Sequence, residues 1–296
     1  MDSNPIVVGV DGSETALAAV RWAAREAILR GARLKILCCV DYDMITLSDY
    51  PIPEDYIHLL RERATKDLAE ASAQALAVVV GAGSDIGIET KMLLCEPRAG
   101  LQTLSESAQL LVLGAHGATR RVSGLLGSVA DALSTRASCP IAVVREQPEA
   151  ILDARPNTVV VGIDGSPCSR QAVEVAYEEA SIRNAKLIAI HAWHLRKVHS
   201  VFKTDHTKLA WEEARTAEEA VLAETLAGHR EQYPDLEVSQ QILNCDPVAA
   251  LRDAAGNAGL LVVGSRGRRG FTAGLLGSTS RALLHSATCP VLIARP

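Results

Sequence analysis

The chain repeats itself, and the repeat covers nearly its whole length. Laying the second half over the first sets Ile6-Val7-Val8-Gly9-Val10-Asp11-Gly12-Ser13 against Val159-Val160-Val161-Gly162-Ile163-Asp164-Gly165-Ser166, an offset of 153. Further on, Leu111-Val112-Leu113-Gly114-Ala115-His116-Gly117 meets Leu261-Val262-Val263-Gly264-Ser265-Arg266-Gly267 at an offset of 150. Gly124-Leu125-Leu126-Gly127-Ser128 meets Gly274-Leu275-Leu276-Gly277-Ser278, and Ser138-Cys139-Pro140 meets Thr288-Cys289-Pro290. Self-similarity of this kind means one structural unit present twice. The stretch from Arg145 to Asn157 is polar and carries Pro148 and Pro156, so it reads as a linker. The expected domains are 1–147 and 155–296, both large enough to bury a core.

Inside a unit, short β-branched runs alternate with helical periods. Val7 to Val10, Leu34 to Val40, Ile88 to Leu94, Leu110 to Leu113 and Ile141 to Val144 read as strands. Between them, Ala16, Ala19, Val20, Ala23, Ala24 and Ala27 share one helical face. Asp55 to Val80 reads as a long amphipathic helix, with Lys208 to His229 its partner in the second half. Strands that alternate with helices, and are apolar along most of their length, predict a parallel sheet covered on both faces. The fold class is therefore α/β, two tandem doubly wound, Rossmann-like parallel-sheet domains.

Composition narrows the function classes. A net charge of −5 and 3% aromatic residues argue against a nucleic-acid surface, which needs basic stripes and stacking rings. No apolar run approaches the length of a membrane span, and Met1 to Pro5 carries no signal-peptide pattern, so a cytoplasmic location is expected. The seven cysteines lack metal-ligand spacing and read as reduced thiols, mostly buried. His191, His194, His199 and His206 fit no zinc pattern and read as packing or solvated residues.

The chemistry concentrates after the fourth strand of each unit. Gly114 and Gly117 follow one strand and Gly127-Ser128 opens the next helix; Gly264, Gly267 and Gly277-Ser278 repeat the pattern. Without a Cβ the main chain can approach an anion closely, and a helix N-terminus offers unpaired N–H groups and partial positive charge. Arg120 and Arg121 in the first loop, and Arg266, Arg268 and Arg269 in the second, add positive charge. In open α/β sheets such a loop stands where ligands bind, beyond the C-terminal strand ends. The spacing G-x2-G-x9-G-S is not that of a P-loop, and no lysine follows it.

With that motif and an aspartate after the first strand both present twice, the chain resembles the universal stress protein family, in its tandem, ATP-binding branch. The resemblance implies five-stranded sheets of order 3-2-1-4-5, which would set Asp11 and Asp164 across a crevice from the glycine loops. It implies that Asp11 and Asp164 take the ribose and metal side, with magnesium carried by the nucleotide, while main chain at Gly9 and Gly162 lines the site. Val40 and Ala192 would face the adenine edge. Gly114, His116, Gly117, Arg120, Gly127, Ser128 and Val129 would hold phosphates in the first unit. Gly264, Arg266, Gly267, Arg268, Gly277, Ser278 and Thr279 would do so in the second. The second loop is the more basic, since His116 is matched by Arg266 and Ala118-Thr119 by Arg268-Arg269.

The function expected is an ATP-binding, nucleotide-dependent regulator in stress response or growth arrest, a homodimer with protein clients the sequence does not name. Slow ATP hydrolysis through Asp11 and Asp164, and a nucleotide-free dimerisation scaffold, are the alternatives. A catalytic histidine is disfavoured because His116 has no counterpart in the second unit.

Overall fold

The computed structural model describes residues 4–41, 54–117, 126–146, 157–193, 206–268 and 275–295, with backbone alone at 54 and 206–211. The first unit runs β1 (Ile6–Val10), α1 (Glu14–Arg30), β2 (Leu34–Val40), α2 (Glu54–Gly81), β3 (Ile88–Leu94), α3 (Pro97–Ser105), β4 (Leu110–Gly114), α4 (Ser128–Arg136) and β5 (Ile141–Val144). The second runs β6 (Thr158–Ile163), α5 (Pro167–Ile182), β7 (Lys186–Trp193), α6 (His206–Leu226), α7 (His229–Gln232), β8 (Val238–Asn244), α8 (Pro247–Ala255), β9 (Leu260–Gly264), α9 (Ser278–Ser286) and β10 (Val291–Ala294). Tertiary contacts separate these two sets into compact units.

Within the first unit the strands are parallel in the order β3-β2-β1-β4-β5. The second repeats it as β8-β7-β6-β9-β10. This is the 3-2-1-4-5 order, twice. Val8 pairs with both Ile36 and Val112, so β1 lies between β2 and β4 and the strand order reverses beside it. A crevice opens at that reversal because the helices leaving neighbouring strands pass to opposite faces.

The core follows the apolar pattern. On α1 the residues Ala16, Ala19, Val20, Ala23, Ala24 and Ala27 are all buried, as their spacing predicts. Small side chains let the helix lie close to β1 and β4. Glu26 is also buried on α1, and Arg30 one turn on holds it at 2.8 Å. Glu179 and Arg183 repeat that pair on α5. A carboxylate removed from water needs such a partner.

Two expectations need correction. Strands β3 and β8 are not buried apolar runs: no residue of IETKMLL or VSQQILN is fully buried, and about half are exposed. Each begins the strand order of its unit, so only one neighbouring strand in that unit covers it. The helix expected over Lys208 to His229 ends instead at Leu226, since Gly228 takes a left-handed φ of 83° before the short α7. On α2 the amphipathic reading holds: Ala64, Leu68, Ala71, Ala75 and Val79 form one buried face.

Candidate functional site

Beyond the carboxyl end of β1 the chain must turn at once into α1. The turn is Asp11-Gly12-Ser13, and Gly12 at φ +77° adopts a conformation few side chains tolerate. Asp11 Oδ1 accepts from Ser13 N at 3.1 Å and Ser13 Oγ at 2.6 Å, while Ser13 in turn caps α1 by accepting from Ala16 N. Asp11 is thus a turn residue through one oxygen, and its other oxygen faces the glycine loop. A Cβ on Gly117 would stand 2.7 Å from Asp11 Oδ2. The second unit repeats this: Gly165 is at φ +77°, Ser166 N donates to Asp164 Oδ1 at 3.0 Å, and a Cβ on Gly267 would stand 2.5 Å from Asp164 Oδ2.

The loop glycines differ in what demands them. A Cβ on Gly114 would lie 2.8 Å from the carbonyl carbon of Thr15, and one on Gly264 would lie 2.7 Å from Cys168 O. These glycines let the first turn of α1 or α5 pack on the strand end. A Cβ on Gly127 would meet nothing nearer than 3.5 Å, and one on Gly277 nothing nearer than 3.4 Å. Among the described residues there is room for a Cβ at both.

Gly127 N donates to Ala115 O at 2.8 Å and Gly277 N to Ser265 O at 2.8 Å, which fastens each helix start to the end of the preceding strand. The next amides, those of Ser128, Val129 and Ala130, precede the first intrahelical acceptor and find no other acceptor among the described residues. Ser278, Thr279 and Ser280 are placed in the same way. All six residues line open clefts, of about 270 Å³ in the first unit and about 360 Å³ in the second.

Most of the anticipated residues meet at these clefts. Gly9, Asp11, Gly114, His116, Gly117, Gly127, Ser128 and Val129 line the first. Gly162, Asp164, Ala192, Gly264, Arg266, Gly267, Gly277, Ser278 and Thr279 line the second. Val40 does not reach the first cleft; Cys39 beside it does. Arg268 does not line the second. Its guanidinium bonds Asp164 O and Glu218, and its main-chain N donates to Asp164 Oδ2 at 3.0 Å. Arg120, Arg121 and Arg269 lie outside the described residues.

The sequence reading missed the apolar walls. Leu37, Leu101 and Leu113 line the first cleft, and Ile190, Leu251 and Val263 the second. Leu101 Cδ1 would lie 3.1 Å from a Cβ on Gly9, so that glycine makes space for the leucine. No local motif marks these positions, although the strand pattern marks Leu37, Leu113, Ile190 and Val263 as core. Arg145 was assigned to the linker, yet it is half-buried with Nη1 3.3 Å from His116 Nε2, and burial lowers its pKa from the usual arginine value. His116 Nδ1 is buried without a hydrogen-bond partner among the described residues. The histidine's main-chain carbonyl accepts from Thr15 Oγ1, tying the loop to α1.

None of the seven cysteines is in a disulfide. Cys38, Cys139 and Cys289 are buried, while Cys39, Cys95, Cys168 and Cys245 are only partly so, fewer buried than anticipated. His191 is a packing residue, with Nδ1 donating to Ile163 O at 2.7 Å and Nε2 lying 2.6 Å from Glu218 Oε2. Among the described residues, no helix is long and apolar enough to cross a membrane.

Fold and clefts together define a tandem pair of doubly wound α/β domains, each with a crevice walled by leucine and valine on one side and by main-chain amides on the other. The chain belongs to the universal stress protein family, whose model matches residues 3–145 and again 156–295. It is 38% identical over 290 residues to a universal stress protein of Mycobacterium tuberculosis, covering 98% of this chain and 96% of that one. It is 36% identical over 292 residues to one from Mycolicibacterium smegmatis, covering 98% and 97%. In fold it is similar to a universal stress protein from Archaeoglobus fulgidus, with a TM-score of 0.70 at 21% identity over 100% of this chain and 99% of that one.

Proposed function

We propose that each unit, with domain limits at 1–147 and 155–296, holds one adenine nucleotide, ATP in preference. The protein then acts as a nucleotide-dependent regulator in stress response or growth arrest. The observation that carries this reading is the set of unpaired amides at Ser128, Val129 and Ala130, and at Ser278, Thr279 and Ser280, turned into clefts. Three convergent donors at a helix start suit a phosphate, and the serine hydroxyls add further donors. The leucine and valine walls suit the flat apolar faces of a base. Gly127 and Gly277 support the reading from another side: among the described residues there is room for a Cβ there, so a ligand that approaches the main chain closely would be what asks for a glycine.

Asp11 and Asp164 each bring one carboxylate to a cleft. In this reading they face the ribose and a magnesium ion that arrives with the nucleotide. The two clefts share no histidine for general-base work, since His116 is matched by Arg266, which favours binding over turnover. The proposed setting is the cytoplasm and the proposed assembly a homodimer.

Titration calorimetry of the purified protein with ATP and Mg²⁺ tests the central point, with two sites expected per chain. Ligand at one hundred times its dissociation constant should add about 2.7 kcal/mol of stability, visible as a raised Tm. No heat and no shift in Tm, with and without Mg²⁺, would sink it.

A further inference from the structure

Cys39 near the end of β2 and Cys95 just past β3 stand on neighbouring parallel strands. Cys95 is close enough to Cys39 to raise its pKa. A Cβ on Gly100, in the first turn of α3, would lie 2.5 Å from Cys95 Sγ and 3.4 Å from Cys39 Sγ. Both sulfurs therefore converge on one spot under the helix. Neither is sealed off: both residues are partly exposed, and Cys39 lines the first cleft.

The repeat supplies an internal control. The second unit keeps the thiol at Cys245 but has Ala192 in place of Cys39 and Ala250 in place of Gly100. The missing Cβ at Gly100 leaves room for both sulfurs in the first unit, whereas a single thiol stands beside Ala250 in the second.

We propose that Cys39 and Cys95 form a dithiol pair that a peroxide oxidises to an intramolecular disulfide in the wall of the first cleft, a modification site the second unit lacks. Burial, and next to it the adjacent Cys95, hold the Cys39 thiol far above its ordinary pKa, so Cys39 keeps its proton near neutrality and Cys95 reacts first. The Cys95 sulfur attacks one peroxide oxygen, the O–O bond breaks, and a sulfenic acid and one water result. Cys39 sulfur then attacks Cys95 sulfur; the S–O bond breaks, and the hydroxide leaves as a second water with the proton from Cys39. Two thiols lose two electrons and two protons, and the peroxide gains both. A thiol reductant reverses the change by exchange. Closure draws a cleft-lining sulfur toward Cys95 and so reshapes the first cleft. Its bearing on ATP rests on the function proposed above, whereas the disulfide does not.

The test uses the full chain, reduced, freed of reductant, treated with a few equivalents of hydrogen peroxide, alkylated and digested without reduction. We expect a linked peptide joining Ile36–Arg61 to Met92–Arg98, with fragmentation placing the bond at Cys39. Alkylation of Cys39 and Cys95 should fall together while that of Cys245 does not. Dithiothreitol should remove the link, as should Cys39→Ala, which installs the residue the second unit has at 192, and Cys95→Ala. A bond through Cys38, or full alkylation of Cys39 and Cys95 after peroxide, would overturn the proposal. Because the readout is a covalent link, it holds or fails whether or not ATP binds.

Discussion

Glu218 grips Arg268 with both carboxylate oxygens, at 2.9 and 3.2 Å, while His191 Nε2 approaches the same carboxylate at 2.6 Å. The chain His191–Glu218–Arg268 thereby ties β7 and α6 to the loop after β9, beside Asp164. Among the described residues the first unit has no such chain: Cys38 occupies the place of His191, pairing with Val10 as His191 pairs with Ile163. Burial, then Asp67 and Asp11, push the Cys38 thiol up to about 11, so a protonated thiol stands in the first unit where the second has an imidazole.

The Glu218 carboxylate gives a pH signature. Burial works to raise its pKa, but the hydrogen bonds from Arg268 and His191 outweigh that and hold it below the ordinary carboxylate value. A lowered acid contributes its full stability above its unfolded-state pKa and loses it as pH falls through the folded one. Glu218→Ala should lower Tm by a few degrees at pH 7, with the gap to the parent closing below about pH 4. Calorimetry at several pH values checks this, and a gap that stays constant with pH would rule the linkage out.

The three loop glycines should separate by role. Gly114→Ala drives a Cβ into the main chain of Thr15 and Ala16, so it should cost about 1–3 kcal/mol of stability. Gly117→Ala displaces the Asp11 carboxylate and should weaken ATP binding about tenfold or more with a smaller loss in Tm. Gly127→Ala meets only ordinary contacts, so Tm should hold while ATP affinity falls. Paired melts and titrations read all three, and an unchanged ATP affinity in Gly127→Ala would remove the claim that the ligand needs this glycine.

Asp67 sits against Gly12, with its Oδ1 2.7 Å from where a Cβ there would be. Burial raises its pKa, Arg63 pulls it down, and Asp11 pushes it up again, for a net rise. The sign is opposite to that of Glu218: folding favours the protonated form, and the relative benefit is lost as pH rises through the folded pKa. Asp67→Asn should therefore raise Tm at pH 7 by about 1–3 °C and change it little at pH 3. Equal gains at both pH values would mean that charge is not the cause.

Much of the fold was legible because periodicity reports burial. The face on α1 from Ala16 to Ala27 and the runs Leu34–Val40 and Leu110–Gly114 fall where the pattern set them. The edge character of β3 was less visible, since the polar run Glu89-Thr90-Lys91 inside it acquires meaning only when its neighbours in the sheet are known. At the site, Gly117, Gly127 and Asp11 were legible as a spaced motif. Leu101, Cys39 and Arg145 were not, for each reaches its place through packing between elements distant in the chain.

The sequence by itself determined that one α/β unit occurs twice and that each copy carries glycines and an aspartate after particular strands, because strand, helix and turn preferences are local. Only the tertiary structure decided what each of those residues meets. Parallel pairing brings β1 and β4 side by side across about a hundred residues of chain, which sets Asp11 over Gly117, and the pairing of β2 with β3 brings Cys39 near Cys95. It also makes the two halves unlike, since a side chain's neighbours across the sheet, rather than along the chain, fix its charge and its reach.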